Sequence, residues 1–230
     1  MKDDRYNVLN AIARGVSQGP LPPGALRDHP GAGPLPDRPS DAESMAASFE
    51  RELTALKGFV YRVDDAASAA NQVLELIRAR GASRVLAWDD EWLAPRGIGS
   101  FLRDAGITLE PCWLPADREA RTARLEAIDD IVVGLTGAYG ALADTGSLAL
   151  VSGPGRGRIA SLLPPVHIAV VGLSQLYPSL PHFMAANPGV ADVGANLVLV
   201  TGPSRTGDIE LTLTLGVHGP GEVHVVLYRD

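Results

Sequence analysis

The feature that most constrains the fold is a regular alternation of short apolar runs with amphipathic helical segments over residues 40–135. Four runs have the length and composition of strands: Phe59–Val63, Arg84–Trp88, Ile107–Glu110 and Asp130–Leu135. The remaining segments place apolar residues at helical intervals and predict helices near residues 40–57, 64–80, 99–105 and 117–127. Strands joined by crossover helices lie parallel in one sheet. The alternation therefore predicts an α/β fold with a mostly parallel sheet flanked by helices.

The pattern changes after residue 135. The runs Ala141–Ala143 and Ser147–Val151 are separated by a three-residue turn, which is too short to contain a helix, so they are expected to pair antiparallel. A helix over Gly157–Leu163 is expected to end at the two prolines that follow it. Further strands are predicted at His167–Val171, Leu197–Thr201 and Val223–Tyr228. The predicted sheet is therefore mixed, although most of its strands are parallel.

Residues 1–39 differ in composition from the rest of the chain. Asn7–Arg14 has the apolar spacing of a short helix, and Gly15–Pro39 is rich in proline and glycine, which is typical of a linker. We therefore predict an N-terminal helix and linker over residues 1–39 and one α/β domain over residues 40–230. Two interpretations of the helix stay open. It docks on a partner or on a second copy of the chain, which would form a homo-oligomer, or it is a frayed terminus on its own domain.

Composition and charge exclude several classes of protein. With 230 residues and 46% hydrophobic content, the chain can form one large core. The formal net charge of −7 argues against a nucleic-acid partner, because no basic face is available to neutralise phosphates. The amino terminus lacks the apolar core of a signal peptide, and the apolar run Val166–Leu173 is too short to cross a bilayer. We therefore expect a cytoplasmic protein that has no membrane partner.

Cys112 is the only cysteine in the chain. A single thiol excludes an internal disulfide, and it excludes a thiolate-bound iron–sulfur cluster or zinc site built by this chain alone. None of the 5 histidines has the spacing of a metal-binding pair, so no metal site and no cofactor are predicted. If electrons are transferred, another subunit or a bound cofactor must carry them. Cys112 has no histidine near it in sequence, which favours a packed thiol over a nucleophile.

The strongest candidate for a ligand site is the run Thr201–Glu210, which follows the apolar run Asn196–Val200. An apolar run of this length predicts a buried strand, and ligands of open α/β sheets bind at the carboxyl ends of parallel strands. A helix is expected to begin near Asp208, and its first N–H groups can bind a carboxylate or a phosphate together with three side chains: Ser204, Arg205 and Thr206. The alternative is that one of these hydroxyls only caps the helix.

Three residues are candidates for proton transfer. Asp208 and Glu210 can act as a general base, although their spacing places them on one side of the chain only if the segment is extended. His218 lies between Gly216 and Gly219, where a loop can present an imidazole, and a structural hydrogen bond is the alternative role. His167 begins a predicted buried strand and is expected to be a satisfied core residue.

Four further residues are candidates for ligand binding. The turn that contains Asp144, Thr145 and Ser147 is predicted to close a hairpin and to border the ligand pocket. Arg158 ends the glycine-rich stretch Gly153–Arg158 and is a candidate anion contact. That stretch fits neither the dinucleotide-binding fingerprint nor the phosphate-binding P-loop, so we interpret it as a flexible connection between a strand and a helix.

Four segments, residues 142–147, 161–168, 202–210 and 216–220, occur in an order that resembles the LUD-domain family of lactate-utilisation proteins, specifically its short LutC-like members. The resemblance implies a fold of the NagB/RpiA/CoA-transferase-like type and participation in the oxidation of L-lactate to pyruvate. It also implies iron–sulfur subunits of a lactate oxidation complex as partners, since the longer LutB-like members carry ferredoxin-type cysteine motifs. The role given to the Arg205 side chain comes from this sequence alone, because many relatives carry a small residue there.

Three functions follow as alternatives. The first is a subunit of a lactate-oxidising system that binds a small carboxylate or a phosphate-bearing ligand and acts with iron–sulfur partners. The second is a stand-alone enzyme that acts on a phosphosugar or an acyl-CoA, an alternative that rests on fold analogy. The third is a non-catalytic assembly or regulatory subunit.

Overall fold

The computed structural model describes residues 8, 10, 11, 13, 14, 35, 37, 38, 40–190, 192–207, 213–216 and 218–230. The chain divides into two compact units, Met1–Asp37 and Arg38–Asp230. In the first unit, residues 8, 10, 11, 13 and 14 are helical, as predicted for Asn7–Arg14. The other residues of that helix and most of the predicted linker lie outside the described residues.

The second unit contains five α-helices among its described residues: α1 (Ala42–Ala55), α2 (Ala66–Ala79), α3 (Ile98–Asp104), α4 (Arg118–Ile128) and α5 (Leu180–Ala186). Aspartates cap the first, second and fourth of these helices, because the side chains of Asp41, Asp65 and Asp117 each accept a hydrogen bond from a backbone N–H in the first turn. No helix in the described part of the chain is long and apolar enough to cross a membrane.

The main sheet has six strands, and every neighbouring pair is parallel. In chain order the strands are β1 (Phe59–Val63), β2 (Arg84–Ala87), β3 (Thr108–Pro111), β4 (Val133–Thr136), β7 (Val166–Gly172) and β12 (Glu222–Tyr228). Their spatial order is β1-β12-β7-β4-β2-β3. The central strands β4 and β7 are buried along their whole length. The predicted class, an α/β fold with a mostly parallel sheet flanked by helices, is confirmed.

A separate, mixed sheet has four strands in the order β8-β5-β6-β9, with β8 parallel to β5 and the other pairs antiparallel. These strands are β5 (Gly140–Leu142), β6 (Ser147–Ser152), β8 (Leu176–Tyr177) and β9 (Asn196–Val200). The predicted hairpin is present, since β5 and β6 pair antiparallel across the three-residue turn. A short two-stranded ribbon pairs β10 (Arg205–Gly207) with β11 (Leu213–Leu215).

Two local predictions are wrong. Residues 196–200 form a partly exposed strand at the edge of the second sheet, because this strand pairs only with β6 and not with the parallel sheet. The predicted helix over Gly157–Leu163 is reduced to a 3₁₀ turn at Arg158–Ser161. Apolar content predicted a strand correctly in the first case, but whether a strand is central or at an edge depends on distant segments.

Candidate functional site

The strand order creates a crevice at the carboxyl edge of the parallel sheet. β2 lies between β3 and β4 in the sheet. After β2 the chain continues to β3 on one side, and after β3 it crosses over β2 to form β4 on the other side. The loops that follow β2 and β4 therefore diverge, and open α/β sheets bind ligands at such points. The residues that follow the strands here are Trp88–Trp92 after β2, Cys112–Leu114 after β3 and Gly137 after β4.

The glycine-rich loop Gly153–Arg158, which follows β6, packs into this crevice. The backbone N–H of Asp89 donates to the carbonyl of Gly155 at 2.9 Å, and the indole N–H of Trp88 donates to the carbonyl of Gly157 at 3.2 Å. The N–H of Gly157 in turn donates to the Cys112 sulfur at 3.0 Å. The loop is therefore held by three hydrogen bonds to segments that follow β2 and β3, and it is a structured element rather than a flexible connection.

Close packing explains the glycines of this loop. Gly155 has a φ of +68°, a conformation that side chains with a Cβ rarely adopt, and a Cβ there would also press against the Asp89 carboxylate. A Cβ on Gly157 would overlap the backbone carbonyl oxygen of Cys112. The two glycines allow the loop backbone to approach the ends of β2 and β3 directly.

A cavity of about 390 Å³ opens beside this loop. Its walls combine apolar side chains with a few polar groups, and they include Asp89, Cys112, Trp113, Leu114, Arg158 and Ile159. The Cys112 thiol is buried, and burial raises the pKa of this thiol, so the neutral form is favoured at neutral pH. The packed, buried thiol expected from the sequence is present. Arg158 is the one residue among the sequence candidates that lines this cavity.

Arg156 is a second arginine of the loop, and its environment differs from that of Arg158. Only 4% of Arg156 is exposed, and its guanidinium lies 3.8 Å from the centre of the Trp92 ring. One nitrogen, Nη2, donates to the carbonyl of Val193 at 3.2 Å, whereas Nε and Nη1 have no hydrogen-bond partner. Sequence reasoning missed this residue. The sequence feature that could have indicated it is its position between Gly155 and Gly157, because flanking glycines let the loop backbone turn so that the arginine side chain is buried.

Ser204 lies at the opposite edge of the parallel sheet. Its N–H donates to the carbonyl of Pro220 at 2.8 Å, and its carbonyl accepts from the N–H of Gly216 at 2.9 Å. Because Pro220 lies two residues before the start of β12 at Glu222, this contact marks the amino edge of the parallel strands. The prediction that this run lies at the carboxyl edge is wrong, since β9 runs antiparallel in the second sheet. His218, two residues before Pro220, is exposed.

The turn residues contact one another and neighbouring segments, and Arg205 contacts the end of α1. The Ser147 hydroxyl donates to Thr145 Oγ1 at 2.9 Å and lies 2.7 Å from Thr201 Oγ1. Asp144 forms an ion pair with Arg38 at 3.6 Å. The Arg205 guanidinium donates to the carbonyl of Leu56, which follows the last turn of α1. These contacts give structural roles to the turn residues. Arg205 likewise has a structural role, because it satisfies a carbonyl at the end of a helix.

Ser147→Ala is expected to lower the free energy of unfolding by about 1 kcal/mol, because the hydrogen bonds of the buried Ser147 hydroxyl with Thr145 and Thr201 are lost. The same variant is expected to bind L-lactate as the unchanged protein does, since the cavity lies at the other edge of the sheet. Urea unfolding and calorimetric titration measure the two quantities. A weaker affinity for L-lactate in this variant would show that the turn containing Ser147 contributes to the ligand site.

The remaining candidates are only partly described. Asp208 and Glu210 lie outside the described residues. The backbone of Thr206 belongs to β10, which pairs with β11, so residues 205–207 form a strand rather than the approach to a helix. Among the described residues, no group of three or more His, Cys, Asp or Glu side chains is arranged to hold a metal ion.

His167 is fully buried in β7, as expected, but the expectation that its hydrogen-bonding groups are satisfied is wrong. Its Nε2 lies 2.9 Å from the Thr136 hydroxyl, and its Nδ1 has no partner. Burial, and secondarily the proximity of His224, lowers the pKa of His167 from 6.5 to about 4. The side chain is therefore neutral at pH 7.

Comparison with known proteins identifies relatives across most of the chain. A sequence profile of the LUD domain matches residues 46–228. Two proteins named lactate utilization protein C are each 33% identical to this chain: that of Shouchella clausii over 159 residues (68% of this chain and 67% of the relative) and that of Halalkalibacterium halodurans over 175 residues (74% and 71%). The protein of the same name from Macrococcus caseolyticus is 29% identical over 203 residues, which is 84% of each chain.

A solved structure supports the fold independently. The crystal structure of a DUF162 family protein from Deinococcus radiodurans superposes with a TM-score of 0.59 and 22% sequence identity, covering 83% of this chain and 99% of that one. The resemblance inferred from the four ordered sequence segments is confirmed by these comparisons.

Proposed function

This chain belongs to the LUD-domain family, and we propose that it is a LutC-like subunit of a lactate-utilisation system that supports the oxidation of L-lactate to pyruvate. In this proposal the chain binds a small carboxylate at the carboxyl-edge crevice, and iron–sulfur partner subunits carry the electrons. The curated relatives named lactate utilization protein C support the pathway.

The single cysteine is the observation that assigns ligand binding to this chain and electron transfer to partner subunits. Oxidation of L-lactate to pyruvate releases two electrons and two protons, so an acceptor is required. Iron–sulfur clusters are bound mainly by several cysteine thiolates. This chain has one thiol, and it is neutral, buried and bonded to the Gly157 N–H. The proposal therefore assigns electron transfer to partner subunits.

The carboxyl-edge cavity supports the ligand-binding part of the proposal. Its volume of about 390 Å³ lies within the usual range of small-molecule sites and exceeds what a three-carbon acid requires. Arg158 is exposed at its wall and supplies a positive charge that attracts an anion. Trp113 and Leu114 provide apolar surface, and Asp89 offers a carboxylate that can accept a hydrogen bond from a ligand hydroxyl.

Reconstitution tests this function. We expect no L-lactate-dependent dye reduction by the purified chain alone, reduction when iron–sulfur partner subunits are added, and a loss of most of that rate when this chain is left out. Dye reduction by the chain alone would favour the stand-alone enzyme. Full activity of the partners without this chain would contradict the proposal.

A panel of ligands distinguishes a lactate-binding subunit from an enzyme that acts on phosphosugars or acyl-CoA and from an assembly subunit. L-lactate or pyruvate at about one hundred times its dissociation constant is expected to stabilise the folded chain by roughly 2.7 kcal/mol, measured by thermal shift. Stabilisation by a phosphosugar or CoA, and not by either acid, would favour the enzyme acting on those substrates. No response to any of these compounds would favour an assembly role.

A further inference from the structure

We propose that Arg156 is the group that binds the carboxylate of the ligand, and that this ligand is a small monocarboxylate of the 2-hydroxy or 2-oxo acid type. The inference rests on the proposed function for the identity of the acid, but its geometry stands on the buried guanidinium itself.

The first argument is the unsatisfied state of the guanidinium. Arginine keeps its positive charge in folded proteins and has five N–H donors. Here Nη2 reaches the Val193 carbonyl, while the N–H groups of Nε and Nη1 have no acceptor. No carboxylate in the described part of the chain forms an ion pair with Arg156. Leaving a buried charge without a counter-ion costs several kcal/mol, so the arrangement calls for an anion from outside the chain.

The second argument is the shape of the surroundings. The Trp92 ring covers one face of the guanidinium at 3.8 Å, a cation–π contact, and the N–H groups of Nε and Nη1 at the guanidinium edge have no partner. Carboxylates bind arginine along this edge, in the plane of the guanidinium. Trp92 is 37% exposed and belongs to a three-residue 3₁₀ turn, and in this proposal the anion reaches the buried Arg156 by displacing this ring.

The third argument is position. The backbone of Trp92 packs against Gly137, which follows β4, and Val193 precedes Gly194, which packs against the end of β6. Arg156 therefore lies where the loops of both sheets meet at the carboxyl edge of the parallel strands. Its chain neighbours Gly155 and Gly157 line the cavity described above. An anion bound to Arg156 would occupy the crevice in which open α/β sheets bind ligands.

The fourth argument limits the charge of the ligand. A single guanidinium neutralises one negative charge, and a phosphate dianion in the same buried place would keep one charge uncompensated. The neighbouring Arg158 is exposed and lines the cavity, so it does not share the burial of Arg156. A monocarboxylate matches the charge of the site, and lactate and pyruvate are the members of this class that the proposed function supplies.

The principal experiment compares Arg156→Met with Arg118→Met, a matched removal of an exposed arginine on α4. The thermal unfolding temperature is followed as sodium pyruvate or sodium L-lactate is added, with sodium chloride at the same ionic strength as the blank. We expect the unchanged protein and Arg118→Met to show the same saturable stabilisation. Arg156→Met is expected to raise the dissociation constant about 100-fold. Without ligand, Arg156→Met is expected to be at least as stable as the unchanged protein, because the unpaired buried charge is gone.

A fluorescence measurement keeps the inference testable if Arg156→Met does not fold. Addition of L-lactate to the unchanged protein is expected to change the emission of Trp92. This change should be smaller in Trp92→Phe, and its midpoint should shift to higher L-lactate concentration in Arg156→Lys, which keeps the charge but loses the planar donor group.

Three results would overturn the inference: unaltered pyruvate and L-lactate affinity in Arg156→Met, no saturable response of the unchanged protein to either acid, or a fluorescence response as large in Trp92→Phe as in the unchanged protein. Its failure can be distinguished from failure of the proposed function. Arg156-dependent binding without activity in the reconstituted system would refute only the function. Full lactate-dependent activity of Arg156→Met with the partners would refute only the assignment of Arg156.

Discussion

Gly157→Ala is expected to lower the free energy of unfolding by about 3 kcal/mol. Gly157 has an ordinary φ of −65°, so the cost does not come from backbone strain. It comes from overlap, because the added methyl group would occupy the position of the Cys112 carbonyl oxygen. Backbone atoms after β3 would have to move away from the loop. The hydrogen bonds of Gly157 to Trp88 and to Cys112 would then be stretched or lost.

Urea unfolding measures this effect, and Gly189→Ala is the matched control. No atom lies within 4 Å of a Cβ added at Gly189, so that variant should change the free energy of unfolding by no more than about 0.5 kcal/mol. We also expect Gly157→Ala to lose most of the response to L-lactate, because the loop forms one wall of the cavity. Equal stability of the two variants would contradict the close packing on which the site depends.

Acidification from pH 7 to pH 4 is expected to remove roughly 3 kcal/mol of stability through His167 alone. The folded protein holds this imidazole neutral down to a pKa of about 4, whereas the unfolded chain binds a proton near 6.5. Between these two values the unfolded state carries more protons, so the free energy of unfolding falls as the pH falls. The contribution is fully present above about pH 6.5. Urea unfolding at intervals of half a pH unit measures it.

The control for this prediction replaces both members of the buried pair, as Thr136→Val with His167→Leu. Removing both partners avoids leaving a buried hydroxyl without a partner. The double variant should lose the pH dependence attributable to His167 between pH 6.5 and pH 4. Burial also lowers the pKa of His224, so protonation of His224 likewise reduces the free energy of unfolding as the pH falls. The double variant retains this contribution. An identical slope in the two proteins would show that His167 is protonated in the folded state.

The two edges of the parallel sheet have different roles in this structure. At the amino edge, Arg80 pairs with Glu222, and the Tyr61 hydroxyl lies 3.1 Å from His224 Nδ1, whereas His167 Nδ1 has no partner. At the carboxyl edge, the cavity is open and the Arg156 guanidinium has two nitrogens without partners. Of the unsatisfied groups in the described residues, the Arg156 guanidinium is the one that carries an unpaired charge next to the crevice, which is where an anionic ligand would complete the structure.

Local sequence signals were sufficient for most of the secondary structure. The strand Phe59–Val63 has the predicted bounds, and the hairpin around Asp144 follows from a turn too short for any other connection. The cap residue is harder to assign: Asp64 is a suitable cap for α2 by residue type, whereas the structure uses Asp65. The choice depends on where the preceding strand ends, which the local composition does not define.

The sequence by itself determined the α/β class, the antiparallel hairpin and the family, because these follow from periodicity, turn length and ordered motifs that are local along the chain. Tertiary structure alone decided which edge of the sheet holds the crevice and which arginine is buried. Arg156 and Arg158 have similar neighbours in sequence, yet one lies beneath Trp92 and the other at the cavity wall. Burial depends on segments distant in sequence, here the loop after β2 and the residues around Val193, and pairing across such distances leaves no local signal.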